Sequence, residues 1–338
     1  MTAEPPIPGA DVQVPTRMLV EALVRADLTV DTGELYATGN LLGMTDQQVR
    51  LCIKRLVAEG RFTHEGRGRK ATLRATGATE RMLGLDVEFV AHAFRQDAGL
   101  APWDGTWHLV AFAVPETARA ARDALRAALT RLGGAPIQGG LYISANPWEP
   151  YVQDHARDLG VLGHLTVATT RDLRQGEEDD PAALARTLWP LAEIAERYHR
   201  LTAIAEPRLD RLRDHAGLSE AERLTIAVEL AAEFTRAIEP DPLLPPQLLP
   251  QPWPGGQARA LLAQCWALLA EAAAPDSRES TRVFRLYDDM TRTAEARREA
   301  AAADRRARSG AWSGGVPARA FSRTRGGSGG IPAQRFNG

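Results

Sequence analysis

The first eighty residues alternate between a helical spacing of apolar positions and two short extended runs. Residues 16–26 and 32–42 carry apolar side chains at three- and four-residue steps, which predicts two short helices. A third helix is predicted to begin at Thr45, where Thr-Asp-Gln-Gln forms a capping box. Residues 61–64 and 70–73 then have the pattern of two strands joined by a Gly-Arg-Gly-Arg turn, which predicts a hairpin.

The third predicted helix has two faces of different chemistry. At 100° per residue, Val49, Ile53 and Leu56 fall on one apolar face, and the helix is expected to end at Gly60. The opposite face is mainly polar and basic and holds Gln47, Leu51, Lys54, Arg55 and Ala58, with Gln48 and Arg50 at its borders. Arginine pairs with guanine and glutamine with adenine in the major groove, so this face is typical of a DNA recognition helix.

Three helices followed by a hairpin are the layout of a winged helix-turn-helix, which assigns residues 16–80, hereafter the head, to a DNA-binding domain. The hairpin turn would be the wing and would contact phosphates or the minor groove. The predicted DNA-binding residues are Thr45, Gln47, Gln48, Arg50, Lys54, Arg55, Arg67, Arg69 and Lys70. The alternative interpretation is a small helical domain with a solvated basic face.

The pattern changes three times after the head. Residues 81–101 repeat apolar positions at helical spacing and predict a linking helix. Residues 102–175 alternate strand and helix patterns in the order βαββαβ, which predicts a ferredoxin-like domain. Residues 181–290 are mainly helical, with a proline-rich interruption at 240–254 that cannot be helix. The sequence thus predicts a multidomain α+β protein.

Charge is distributed unevenly, although the net charge of the 338 residues is only −2. Residues 45–75 hold eight basic and three acidic side chains, a net of +5, whereas residues 100–290 have a net charge of −8. Such a basic head on an acidic body indicates a polyanion as partner. The Gly/Ser/Ala/Arg-rich tail at 291–338 has a net charge of +7, and it and the proline-rich lead at 1–15 are predicted to be disordered.

Composition narrows the class of protein. No run of about 18 apolar residues predicts a membrane helix, and no secretory pattern is present, so we expect a cytoplasmic protein without membrane partners. Cys52 and Cys265 are too few for a disulfide framework or a cysteine zinc site. Nucleophile-elbow, zinc-protease and nucleotide-loop motifs do not occur, so we expect neither an enzyme nor a cofactor or metal.

Three segments resemble the PaaX family of bacterial transcriptional repressors. They are residues 49–60 of the third helix, Pro-Trp-Asp-Gly-Thr-Trp at 102–107, and the proline-rich stretch from Asp-Pro to Trp-Pro-Gly at 241–255. The resemblance spans about residues 16–290. It implies a winged-helix head, a ferredoxin-like middle domain similar to a small CRISPR-associated nuclease subunit, and a helical C-terminal domain.

The resemblance also implies a function. The family's members are usually dimeric repressors, and the name-giving members are released from DNA by phenylacetyl-CoA. The chain is therefore expected to be a dimeric repressor of a catabolic operon, bound to double-stranded operator DNA and released by an aryl- or other acyl-CoA. Such a ligand needs an apolar slot and arginines for its phosphates. The candidate effector-binding residues are Trp103, Trp107, Arg119, Arg122, Trp148 and Trp189. Ordinary core packing is the alternative for these tryptophans.

Two other functions stay open at this point. One is a nucleic-acid-binding module without an effector, to which the arginine-rich tail contributes. The other is a metal-dependent nuclease, because the related nuclease fold holds a metal through an aspartate at the end of its first strand. That position falls at Val114-Pro115, which cannot bind a metal, and the adjacent Glu116 is expected to open the following helix.

Overall fold

The computed structural model describes residues 12–272, except for residues 67, 215 and 216. Within these residues the chain is a mixed structure of ten α-helices and two antiparallel sheets. The predicted lead is described only from residue 12. The predicted tail at 291–338 and the last part of the predicted C-terminal domain, 273–290, lie outside the described residues.

The head contains three helices and a three-stranded sheet. Its elements are α1 (Thr16–Ala22), β1 (Thr29–Asp31), α2 (Thr32–Leu41), α3 (Asp46–Ala58), β2 (Phe62–Glu65) and β3 (Thr72–Ala75). The strand order is β1-β3-β2, and both pairings are antiparallel. The sequence did not predict β1, because three residues are too few to show alternation. The last predicted strand begins at Thr72 rather than at residue 70, because Gly68–Lys70 form a 3-10 turn.

A long helix, α4 (Gly77–Asp97), leads to the second sheet. The region that follows α4 contains β4 (Trp107–Phe112), α5 (Arg119–Arg131), β5 (Ala135–Gln138), β6 (Leu141–Ser144), α6 (Glu149–Asp158) and β7 (Leu165–Thr170), in the βαββαβ order that the sequence predicts. The strand order is β5-β6-β4-β7, with antiparallel neighbours. Successive side chains enter two cores, since Val110 and Tyr142 pack with residues of α5 and α6, and Trp107 and Ile143 with the C-terminal helices.

Four helices form the C-terminal part. They are α7 (Pro181–Leu188), α8 (Leu191–Arg213), α9 (Glu220–Ile238) and α10 (Pro254–Ala272). The proline-rich residues 239–253, hereafter the crossing segment, run over these helices and bury Leu243, Leu244 and Leu248 to at most 2% exposure. No helix in the described ranges combines the length and apolarity that crossing a membrane requires.

The head is anchored to α9. Val228 of α9 is fully buried within the core of the head, and Leu224, one turn earlier, packs beside it. The guanidinium of Arg236 donates a hydrogen bond to the carbonyl oxygen of Gln13, just before α1. Helix α9 therefore contributes side chains both to the core of the head and, through Leu230 and Phe234, to the core of the C-terminal helices.

A buried polar cluster joins four segments of the chain. Arg259 of α10 donates to both carboxylate oxygens of Asp97, at the end of α4, over 2.6 and 2.7 Å, and to the hydroxyl of Tyr198 over 2.7 Å. The Tyr198 hydroxyl donates in turn to Asp241 of the crossing segment over 2.6 Å. Burial raises the pKa of Asp241, and burial together with the charge of Asp241 raises the pKa of Tyr198 well above 10. Each of the four side chains of this cluster thus has a hydrogen-bonding partner within it.

The tight contact between Gly134 and Trp148 gives a stability prediction. A Cβ atom at Gly134 would lie 2.2 Å from a ring carbon of Trp148 and 2.9 Å from the carbonyl oxygen of Leu129. Because the buried ring must shift, Gly134→Ala should lower the free energy of unfolding by about 1–3 kcal/mol. Gly163→Ala is the matched control, since nothing lies within 4 Å of its Cβ position. Urea denaturation measures both variants, and equal stability would contradict the packing described.

Candidate nucleic-acid interface

The capping box positions the start of α3. The Thr45 hydroxyl accepts a hydrogen bond from the backbone N–H of Gln48 over 3.2 Å. The side-chain carbonyl oxygen of Gln48 accepts from the backbone N–H of Thr45 over 2.8 Å and lies 3.0 Å from its hydroxyl. Reading adenine requires both ends of a glutamine amide. Gln48 is therefore committed to the cap. Its neighbour Gln47 is equally exposed but makes no side-chain hydrogen bond within the described residues.

The outward face of α3 is cationic, and its cations form no ion pair with the residues that the structure describes. Its inner stripe of Val49, Ile53 and Leu56 is buried, which turns the opposite residues to the surface. In the described part of the chain, the exposed side chains of Arg50, Lys54 and Arg55 have neither a hydrogen bond nor an ion pair. Unpaired cations along one helix face suit a polyanion, because no internal carboxylate has to be displaced before binding.

The turn between β2 and β3 is tied to α2. The Thr32 hydroxyl donates to the carbonyl oxygens of Gly68 and Ala71 over 2.9 and 2.7 Å. Gly33 of α2 lies so close to the turn that a Cβ atom at this position would be 3.0 Å from the carbonyl oxygen of Arg69. Lys70 in this turn is exposed, and Arg67 lies outside the described residues.

Arg69 connects this turn to α3. Its guanidinium donates to Asp46, the first residue of α3, over 3.1 Å, and its central carbon lies 5.7 Å from the centre of the Tyr36 ring. The ion pair is exposed, so it holds the turn with modest energy and leaves the guanidinium accessible to solvent. Sequence reasoning missed Thr32, Tyr36 and Asp46 as positioning residues, since only the tertiary fold brings α2 against this turn.

The tryptophans of the predicted effector slot are distributed over two cores. Trp107 meets Trp103 edge to face at 5.1 Å and stacks on Trp189 at 6.3 Å. Trp148 belongs instead to the other core, beneath α5 and α6. The four tryptophans therefore do not lie in one core, because the ring of Trp107 on β4 and the ring of Trp148 before α6 lie on opposite faces of the sheet. Trp107 is 1% exposed and Trp189 is 6% exposed, so both are packed as core residues.

The two candidate arginines lie at the start of α5. Arg122 donates to Glu116 over 2.6 Å, and Arg119 is exposed and within 3.9 Å of the same carboxylate. Glu116, the residue considered for a nuclease, is thus paired with arginines. The described residues contain no group of three or more His, Cys, Asp or Glu side chains arranged to hold a metal ion.

Comparisons with known proteins identify two matching regions. Residues 100–184 match the PaaX protein central Cas2-like domain, and residues 189–277 match the PaaX-like protein C-terminal domain. Together these regions cover just over half of the chain. A search of curated proteins gives no match.

Solved structures with similarity to this chain include one that is matched over most of its length. It is the uncharacterized protein Rv0674 from Mycobacterium tuberculosis, at 21% sequence identity and a TM-score of 0.43. The similarity covers 81% of this chain and 96% of the other. The two domain matches, which include the Trp-Asp-Gly motif at 103–105 and the proline-rich stretch at 241–255, decide the family: this chain belongs to the PaaX-like family.

Proposed function

We propose that this chain is a DNA-binding transcriptional regulator that reads an operator through α3. The observation that carries the proposal is the outward face of α3, where Arg50, Lys54 and Arg55 are exposed and unpaired among the described residues. Membership of the PaaX-like family supports a regulatory role. In this proposal the head is a winged helix-turn-helix, α3 enters the major groove, and the 68–70 turn lies beside the phosphates.

The interface divides into two kinds of contact. Gln47 and Arg55 lie two turns apart on the outward face and are assigned to base edges, where each good contact discriminates by about 1–3 kcal/mol. Arg69, Lys70 and Arg67 are assigned to phosphates, which set the register of the protein on the duplex without reading sequence. Thr45 and Gln48 serve by holding the start of α3 in place.

The proposed regulator acts as a homodimer joined through β7. The sheet has two edges, and only that of β5 is protected, by Pro136 and a register shift. The other edge strand, Leu-Thr-Val-Ala-Thr-Thr at 165–170, is uncharged, and no other described strand pairs with its outer side. A second copy related by a two-fold axis would pair β7 with β7 and extend the ferredoxin-like sheet. Such symmetry predicts a near-palindromic operator.

Release from DNA by an acyl-CoA is the second part of the proposal, and it rests on the family resemblance. To convert a population from 1:99 to 99:1, the ligand must favour the released state by about 5.5 kcal/mol. Anchoring of the head on α9 through Val228 offers a route, because movement of α9 would move the head. Fluorescence anisotropy on DNA from the upstream region of the gene, with and without phenylacetyl-CoA and other acyl-CoAs, tests binding and release together. Binding that no thioester relieves would favour the module without an effector.

The role of Arg55 gives the first prediction for this interface. Arg55→Ala should weaken operator binding by about 1–3 kcal/mol and weaken binding to random DNA by less, because a base contact is lost. Arg126→Ala, which removes an exposed arginine from α5, is the matched control and should change neither affinity. Equal losses on operator and random DNA would assign Arg55 to phosphate contact instead.

Two adjacent glutamines separate recognition from folding. Gln47→Ala should relax discrimination at one base pair of each half-site while leaving stability unchanged, because its amide is exposed. Gln48→Ala should cost about 0.5 kcal/mol of stability through the lost cap bond, with an unchanged base preference. Selection of bound duplexes from a random library, combined with urea denaturation, measures both effects. The opposite assignment of the two phenotypes would contradict the proposed roles.

The β7 edge gives a prediction about assembly. Val167→Lys places a like charge on both strands of the proposed β7 pair, so the dimer should dissociate at micromolar concentration and bind the operator more weakly. Leu100→Lys is the control, because both residues are 38% exposed and Leu100 lies outside the sheet. Sedimentation equilibrium gives the mass of each variant. A Val167→Lys protein that remains dimeric would exclude this edge as the interface.

A further inference from the structure

Leu51 is a large apolar side chain on the outward face of α3. It is 56% exposed and lies opposite the buried stripe of Val49, Ile53 and Leu56, on the side of the helix that usually carries polar residues. A single exposed leucine is ordinary on a protein surface, and Leu41 at the end of α2 is as exposed, at 57%. The surroundings of Leu51, rather than its exposure alone, carry the inference.

The neighbours of Leu51 are polar or cationic. Gln47 and Arg55 lie one turn before and one turn after it, and Arg50 and Lys54 flank it. The three cations are free of ion pairs within the described residues. An apolar protein partner would desolvate these charges without compensation, whereas a polyanion would pair with them. The face therefore fits an occupant that is anionic at its rim and carries an apolar group at its centre.

The major groove of DNA has this combination. Phosphates line the groove, and the C5-methyl group of thymine is the apolar feature that base edges present there. We propose that Leu51 is a specificity-determining residue that packs against a thymine methyl group in each half-site. The inference rests on the proposed DNA-binding function and names one base that the operator contains.

The spacing on α3 locates this thymine relative to the other contacts. Residues four positions apart are separated by about 6 Å along a helix, which is close to the rise of two base steps. The thymine should therefore lie within about two base pairs of the bases contacted by Gln47 and by Arg55. Each of the three side chains would then contact a different base of the half-site: Gln47 an adenine, Leu51 a thymine and Arg55 a guanine.

Removal of single methyl groups from DNA tests the proposal directly. The full-length chain first selects bound duplexes from a random library, and each thymine of the selected site is then replaced by deoxyuridine, which lacks only the methyl group. At one position per half-site, replacement should weaken wild-type binding about fourfold, the change expected for one desolvated methyl group. The remaining replacements should have little effect. Fluorescence anisotropy gives the dissociation constants.

Two variants complete the test. Leu51→Ala should bind the thymine and deoxyuridine duplexes equally and keep the wild-type salt dependence, because no phosphate contact is lost. Leu41→Ala, which removes an equally exposed leucine outside α3, should retain the wild-type response. Because Leu51 is exposed, its removal leaves the core intact, and circular dichroism checks this.

The outcomes separate the two proposals. If the wild type selects a duplex but is indifferent to every methyl group, or if Leu51→Ala still discriminates thymine from deoxyuridine, the role of Leu51 is excluded while DNA binding stands. If the wild type selects no duplex, the proposed function itself fails and the role of Leu51 fails with it.

Discussion

The bidentate pair between Arg259 and Asp97 is the interaction on which the arrangement of the chain most depends. It fixes the end of α4, the helix that follows the head in sequence, against α10, the last helix of the described chain. Arg259 is 4% exposed, so loss of Asp97 would leave this buried guanidinium with Asp241, 3.7 Å away, as its remaining carboxylate partner. Breaking a buried pair in this way typically costs about 3–5 kcal/mol. Tyr198 and Asp241 extend the pair to α8 and the crossing segment, so one guanidinium connects four segments.

Close packing explains the two glycines in the first turn of α10. A Cβ atom at Gly256 would lie 3.1 Å from a carboxylate oxygen of Asp97, and one at Gly255 would lie 2.5 Å from the indole nitrogen of Trp253. A second set of bonds lies nearby, where the amide of Gln96 donates to the carbonyl oxygen of Leu243 over 2.7 Å and Asn146 donates to the same oxygen over 2.8 Å. The end of α4, the second sheet and the crossing segment therefore form one connected unit.

This connection gives the proposed interface a defined position. The head has its own apolar core, but Val228 of α9 completes it, and α9 packs in turn on α8 and α10. The two parts of the protein differ in how their arginines are paired. The C-terminal helices pair most of their arginines with their own carboxylates, as with Arg208 and Glu229 over 2.8 Å. The α3 face instead leaves three cations unpaired among the described residues. The family resemblance and this difference in pairing support the same regulatory function.

The sequence alone determined the features that depend on local spacing. The capping box at Thr45, the buried stripe of α3, the βαββαβ order and the break in the helices at the proline-rich stretch all follow from patterns within a few residues of one another. It did not determine features that depend on contacts between distant segments. Strand β1 forms because β3 supplies its hydrogen bonds, the 68–70 turn is held by Thr32 of α2, and Trp148 faces a different core from Trp107. These outcomes were decided by the tertiary structure, because each depends on which distant groups the folded chain brings within hydrogen-bonding or van der Waals distance.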